Sequence, residues 1–311
     1  MRRRNVIIDT DPGVDDALAL LFALRSDAWN VLGITTVAGN MSLDQTTRNA
    51  LIVVEMSGVS VPVFKGAYRP LREPLETAEH AHGHDGLGDV GFPDPVTAAR
   101  PEHAVDFIVK TVMGSDEPVD LITLGPLTNI ALAITAERAI EERVRRLVMM
   151  VGTWTVGNIT QAAEFNAGVD PEATDIVFRS RIPKTMVALD PIREGALIEA
   201  DDVPYLENTD SSWGKMAGKL LRRSLERWNR PRLSMCDPAA VGVAIDPSIA
   251  EIQRLPVGIE TRGEYTRGMT VVDLRFGRGH KLGMMEPNVD VVMSINPERF
   301  RRLYMDTMLG H

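Results

Sequence analysis

The sequence contains a single cysteine, Cys236, among 311 residues, which excludes an intramolecular disulfide. It has no uninterrupted apolar run of about 18 residues, the length a helix needs to cross a bilayer. Basic residues are the minority: 34 Lys and Arg against 43 Asp and Glu leave a net charge of −9. The densest basic stretch, from Arg222-Arg223 to Arg232, is interleaved with leucines and Trp228 and reads as the solvated face of a helix. Without a basic stripe, neither a nucleic-acid partner nor a membrane partner is expected. Arg2-Arg3-Arg4 precede an apolar run that stops at Asp9, too short for the hydrophobic region of a signal peptide. A cytoplasmic location is therefore expected. Repeats, low-complexity tracts and linker-like shifts in composition are also missing.

What is present is a chain with 44% hydrophobic residues, enough to bury a large core. Short β-rich runs alternate with helical patterns. Val6–Asp9, Val31–Ala38, Val61–Phe64, Val119–Leu124, Leu147–Val151 and Thr185–Leu189 read as strands. They are nearly continuous apolar runs rather than alternating ones, which suits a parallel sheet covered on both faces. Helix signals lie between them: a possible capping box from Ser42 to Gln45, closure at Gly58, and prolines at the first helical position in Gly125-Pro126 and Asp170-Pro171. The stretch Arg254–Arg275 looks β-like, and Pro297–Leu309 looks helical. The expected fold is α/β, one doubly wound domain over residues 1–311 with a mostly parallel central sheet flanked by helices.

The most informative stretch is Val6-Ile7-Ile8-Asp9-Thr10-Asp11-Pro12-Gly13-Val14-Asp15-Asp16, where four aspartates separate two apolar runs. In open α/β sheets, ligands bind at the carboxyl ends of the strands, which is where Asp9 and Asp11 fall. Helix capping and the helix dipole account for one or two of these acids. They do not account for four, which repel one another at close range. A bound hard cation, Ca²⁺ or Mg²⁺, resolves that repulsion. An EF-hand loop counted from Asp9 fails, because its glycine and glutamate positions hold Val14 and Leu20. A phosphatase of the haloacid-dehalogenase type, with Asp9 as nucleophile and Mg²⁺ bound, remains an alternative. Pro12 interrupts its usual pattern, and it leaves Asp15-Asp16 unexplained.

DTDPGVDD resembles the amino-terminal signature of the inosine-uridine-preferring nucleoside hydrolase family. Further matches follow in order along most of the chain. They are Val37-Ala38-Gly39-Asn40, His82-Gly83-His84-Asp85-Gly86-Leu87-Gly88, Gly125-Pro126-Leu127-Thr128-Asn129-Ile130-Ala131, Gly157-Asn158, Ala163-Glu164-Phe165-Asn166, Asp170-Pro171-Glu172-Ala173 and Asp237-Pro238. Each is weak alone; their ordered combination is specific.

The resemblance implies calcium-dependent hydrolysis of the N-glycosidic bond of ribonucleosides to ribose and free base. It implies Ca²⁺ held by Asp11, Asp16, Asp237 and the backbone carbonyl of Leu124, with Asp11 as general base. Asp15, Asn40, Met150, Asn158, Glu164 and Asn166 would bind the sugar, amides and carboxylates suiting a triol. Asp9 would only orient its neighbours. His82 falls near the base; Trp228 either stacks on the base or packs on the core. Many family members have histidine immediately before the late aspartate, where it can protonate the leaving base. Cys236 stands there in this chain, as in a related subgroup, either as a proton donor or as a small residue filling space. The resemblance also suggests a homodimer or homotetramer. A non-catalytic ribose- or calcium-binding protein on the same scaffold is the third reading.

Overall fold

The computed structural model describes residues 3–275 and 286–310; Arg2 lies outside them. Among the described residues, twelve strands run β1 (Arg4–Thr10), β2 (Trp29–Thr36), β3 (Val63–Lys65), β4 (Val119–Thr123), β5 (Val144–Met150), β6 (Lys184–Val187), β7 (Leu197–Glu199), β8 (Arg232–Ser234), β9 (Ala250–Leu255), β10 (Val257–Ile259), β11 (Thr270–Val272) and β12 (Val289–Ile295). Eight of them form one sheet in the order β3-β2-β1-β4-β5-β6-β12-β9. All neighbours are parallel except β12 and β9, so β9 is an antiparallel edge. The order reverses at β1, which pairs with β2 on one side and β4 on the other. Such a switch point opens a crevice at the carboxyl ends of the two strands.

The strands are apolar on both faces because helices cover both. Val6 and Ile8 pack into one core cluster and Ile7 into the other. Leu121 and Ile122 divide the same way, as do Met149 and Val148, in the period-two alternation of a pleated strand. The helices Val14–Arg25, Leu43–Ser57, Ser212–Trp228, Cys236–Ile245 and Pro297–Leu309 cover the first face. Ala104–Gly114, Thr128–Ala136 and Pro171–Arg179 cover the second.

All six expected strands enter the sheet. The Arg254–Arg275 stretch contributes the end of β9 and the antiparallel pair β10–β11. β12, placed between β6 and β9, was not foreseen. Two local expectations fail. Ser42 heads its helix without a side-chain cap, and Gln45 donates to Asn49 and to the Asp85 carbonyl rather than closing a capping box. The helix after Gly125-Pro126 begins at Thr128 rather than at the proline. Asp170 does cap the Pro171–Arg179 helix, accepting from Ala173 N–H, and Gly58, with φ of 71°, ends Leu43–Ser57. Among the described residues, no helix is long and apolar enough to cross a membrane.

Candidate active site

β1 ends at Thr10, Pro12-Gly13 turns the chain, and the Val14–Arg25 helix begins, so the four aspartates line one strand–turn–helix corner at the switch point. Their environments differ. Asp9 is buried under the sheet end, where its Oδ1 accepts from Thr35 Oγ1 at 2.5 Å and Asn129 Nδ2 at 2.7 Å. Burial raises its pKa to about 7, against those two hydrogen bonds. Asp16 caps its own helix, accepting from Gly13 N–H at 3.0 Å, and also accepts from Thr10 Oγ1, Asp11 N–H and Asn40 Nδ2. Asp11 Oδ2 accepts from Asn40 N–H at 2.6 Å, while its Oδ1 and Asp15 Oδ1 have no hydrogen-bond partner. A Cβ at either Gly39 or Gly125 would collide with the Asp11 carboxylate, so both close-packed turns require glycine.

A further acid arrives from far along the chain. Asp237 sits in the first turn of the Cys236–Ile245 helix, and carboxylate oxygens of Asp15, Asp16 and Asp237 lie within 4.8 Å of one another. Among the described residues, no lysine or arginine pairs with any of Asp11, Asp15, Asp16 or Asp237. Burial drives Asp11 and Asp237 well above the usual carboxylate range, and repulsion from neighbouring aspartates adds to it. Asp15 and Asp16 are raised by burial too, Asp16 further by Asp15. Buried carboxylates with unpartnered oxygens and no internal cation form a donor set that fits a hard divalent metal.

Beside this cluster opens a cavity of about 470 Å³, lined by Asp15, Asp237, Asn40, Leu124, Met150, Asn158, Glu164 and Asn166. Every residue expected to touch the sugar is on this wall. Asp11 and Asp16 are fully buried and are not on it. Glu164 heads a short helix and accepts from Gly152, Asn166 and Ala167 N–H groups, and burial raises its pKa against them. Asn166 Nδ2 donates to the Leu124 carbonyl at 2.6 Å and to the Met150 carbonyl at 3.0 Å, tying the ends of β4 and β5 to the short Phe165–Val169 helix. Asn158 Oδ1 accepts from Phe165 N–H.

The outer wall carries His82, Trp228 and Cys236. His82 Nδ1 accepts from Val14 N–H at 3.1 Å, which leaves Nε2 to carry the hydrogen. Burial lowers its pKa to about 4, with Asp16 opposing the shift. Burial, then Asp15 and Glu164, push the Cys236 thiol upward and keep it protonated. His84 is exposed and lies 3.7 Å from Glu79. Glu76, Thr77, His80 and Ile159 also line the cavity and were not foreseen. Glu76, Thr77 and Ile159 sit in irregular segments and His80 in the four-residue Glu79–His82 helix, too short to show a period, so nothing in the pattern singled them out. Asn129, quoted in a motif but given no task, proves to hold Asp9, the Thr36 carbonyl and Ala67 N–H together.

Asp9 is off the cavity wall, and its Oδ1 is turned to Thr35 and Asn129. The sequence model of the inosine-uridine preferring nucleoside hydrolase family matches residues 6–302. The chain is 38% identical to the pyrimidine-specific ribonucleoside hydrolase RihA of Citrobacter koseri over 301 residues, 95% of each chain. It is 39% identical to the enzyme of that name from Shewanella woodyi over 280 residues, 88% of this chain and 89% of that one. Among solved structures it resembles the plant nucleoside hydrolase PpNRh1, with a TM-score of 0.91 at 28% identity over the whole of both chains. It also resembles a purine-preferring ribonucleoside hydrolase from Gardnerella vaginalis, with a TM-score of 0.90 at 30% identity over 99% of this chain and 98% of that one. With this match over nearly its whole length, the chain belongs to the inosine-uridine preferring nucleoside hydrolases, enzymes that act on the N-glycosyl bonds of ribonucleosides.

Proposed function

We propose that the protein is a calcium-dependent ribonucleoside N-glycosidase acting in nucleoside salvage, with a preference for pyrimidine ribonucleosides. The carrying observation is the joining of two donor sets at one cavity. Buried carboxylates with no paired lysine or arginine among the described residues adjoin Asn40, Asn158 and Asn166, whose amides both donate and accept, and Glu164, whose carboxylate accepts. The pyrimidine preference rests on the two RihA relatives, which are named pyrimidine-specific.

Asp11, Asp16, Asp237 and the Leu124 carbonyl would hold the ion, with Asp15 beside them. Bound there, calcium supplies coordination for the sugar hydroxyls and acidifies a water molecule. Asp11 Oδ1, free of hydrogen bonds, takes the proton as water attacks the anomeric carbon. Glu164, Asn166, Asn158 and Asn40 hold the ribose hydroxyls and keep the reacting carbon in line. His82 presents its Nε2–H to the departing base as a neutral hydrogen-bond donor. Cys236 keeps its proton and fills space beside Asp237. Asp9 holds the corner together from behind. In solution we take the enzyme to be a homodimer or homotetramer.

A reducing-sugar assay over a panel of ribonucleosides, with and without a calcium chelator, tests this reading. Release of ribose from uridine and cytidine, lost with chelator and restored by Ca²⁺, is the expected result. Turnover indifferent to chelator would remove calcium from the scheme, and faster turnover of inosine than of uridine would remove the pyrimidine preference.

A further inference from the structure

His82 and Trp228 share the outer cavity wall and also line a smaller adjoining recess of about 120 Å³. They come from separate segments: His82 ends the short Glu79–His82 helix, and Trp228 ends the Ser212–Trp228 helix. Two different devices hold them.

The His82 side is anchored to the body of the protein. His82 Nδ1 is fixed by Val14 N–H, and the His82 carbonyl accepts from Gly88 N–H at 2.7 Å. The loop that follows is pinned from the Leu43–Ser57 helix, since Gln45 and Asn49 both donate to the Asp85 carbonyl. The Trp228 side is different. Asn229, at φ of 46°, ends the helix immediately after the tryptophan, and Trp228 is 47% exposed. What ties this end to the loop is a pair of arginines one helical turn apart. Arg223 Nε donates to the Gly88 carbonyl at 3.0 Å, and Arg227 donates to Asp89 Oδ2 at 3.0 Å. Asp89 is ready for that contact: its Oδ1 accepts from His84 and Asp85 N–H, which leaves Oδ2 pointing to the helix. Its backbone, at φ of 56°, is in the left-handed region, a conformation held by these local bonds.

We infer that Arg227, through Asp89, is a positioning residue that sets the place of Trp228 relative to His82, and so shapes the slot that receives the nucleobase. The inference rests on the nucleoside hydrolase reading of the cavity. Arg227 touches no part of the cavity itself; it acts through the residue next to it. Because the loop is independently anchored and Arg223 still holds the preceding turn, breaking the ion pair loosens the last turn of the helix, with Trp228, rather than His82. A partly exposed ion pair is a weak contributor to stability, so its loss should move the tryptophan without unfolding the protein.

The test compares wild type, Arg227→Ala, Arg227→Lys and Asp89→Asn. Asparagine at 89 keeps the loop's acceptor and tolerates the left-handed backbone, but removes the charge. For Arg227→Ala, KM for the best ribonucleoside should rise about two- to fivefold with kcat within about twofold, the scale of one exposed ion pair. Discrimination between pyrimidine and purine nucleosides should narrow, and inhibition by free ribose should stay the same. Asp89→Asn should move in the same direction, and Arg227→Lys should recover most of the loss. A second readout needs no turnover: acrylamide quenching of Trp228, isolated by subtracting Trp228→Phe, should increase in Arg227→Ala. Unchanged KM and quenching would overturn the inference. So would a parallel fall of kcat and thermal stability, which marks a general structural role, or failure of lysine to rescue. If wild type cleaves no ribonucleoside, the nucleoside reading falls, and the quenching comparison still decides whether Arg227 places Trp228.

Discussion

The two ends of the central sheet handle buried charge in opposite ways, and β1 and β4 show both. β1 begins at Arg4, whose guanidinium donates to the Ala244 carbonyl and lies over the Trp29 ring; the chain leaves its far end through Asp9 and Asp11. β4 begins beside Asp120, buried yet held by Arg145 at 2.7 Å and 2.5 Å and by Arg146 at 3.1 Å; it ends at Thr123, next to Leu124 on the cavity wall. At the amino-terminal end, a buried carboxylate is neutralised inside the fold. At the carboxyl-terminal end, Asp11, Asp15, Asp16 and Asp237 crowd together, and among the described residues no lysine or arginine pairs with them. A folded chain keeps such an arrangement when something it binds completes it. The difference between the ends, rather than acidity as such, separates a binding site from a structural ion pair.

The sharpest way to break this comparison is at Asp11. Asp11→Ala should lower kcat by about 10²–10⁴-fold for loss of the base, and further for weakened metal binding. Its thermal stability should hold or rise, since it relieves repulsion. Steady-state kinetics with calcium calorimetry measures both. Near-normal turnover would show that the acidic corner is not the reacting centre.

Next in size is the sugar. If the 2′-hydroxyl joins the ion and Asn40, Glu164 or Asn166, deoxyuridine should be cleaved about 10²-fold less efficiently than uridine, mainly through kcat. Equal kcat/KM for the two would exclude that contact.

The opposite end answers in stability instead. Asp120→Ala should cost about 2–3 kcal/mol, because it strands Arg145 and Arg146 beside a buried gap, discounted from a fully buried pair since the arginines reach solvent. Activity per folded molecule should be unchanged. Urea unfolding alongside kinetics checks both halves, and a stability loss no greater than Asp11→Ala would erase the contrast between the two ends.

Lys184, at the start of β6, gives a smaller effect with a pH signature. Burial lowers its pKa from 10.5 to about 8, with Arg254 adding to the shift and Glu141 opposing it. The folded pKa is below the unfolded one, so the wild type gains stability as pH rises from about 8 towards 10.5 and lacks it below about 8. Lys184→Met should therefore be more stable by about 1 kcal/mol at pH 7, a figure reduced for screening by nearby water. The advantage should shrink towards pH 10.5 in thermal melts. A constant difference across that range would show that packing, not ionisation, sets it.

The smallest change is expected at Cys236. With its thiol held protonated, Cys236→Ser and Cys236→Ala should both stay within about threefold of wild-type kcat, well short of the 10²–10⁴-fold a positioned proton donor contributes. A much larger loss with calcium affinity intact would make the thiol the donor to the leaving base.

Much of the fold was legible because its determinants are local. Runs such as Val6-Ile7-Ile8 specify strands apolar on both faces, and Asp170-Pro171 specifies a helix start, whatever surrounds them. The misses occurred where a tertiary partner outbid a local one. Gln45 has the spacing for a capping box, yet it serves the Asp85 carbonyl and Asn49 instead. β12 has seven residues in which Asp290 and Ser294 interrupt the apolar run, and it pairs with both β6 and β9.

The candidate site divides along the same line. By itself the sequence determined that four aspartates flank a strand–helix turn, and that charge of this density asks for a cation, because like charges at one corner repel wherever the rest of the chain goes. It also determined the donor types, amide and carboxylate, suited to a sugar. Only the tertiary structure decided that Asp237, more than two hundred residues from Asp16, completes the cluster, and that Asp9 turns away from it towards Thr35 and Asn129. It alone brought Glu76, Thr77 and Trp228 to one wall and tied Arg227 to Asp89. The physical reason is range: repulsion and hydrogen-bond capacity belong to residue types and short spacings, whereas which oxygen is left without a partner depends on what the folded chain carries past it.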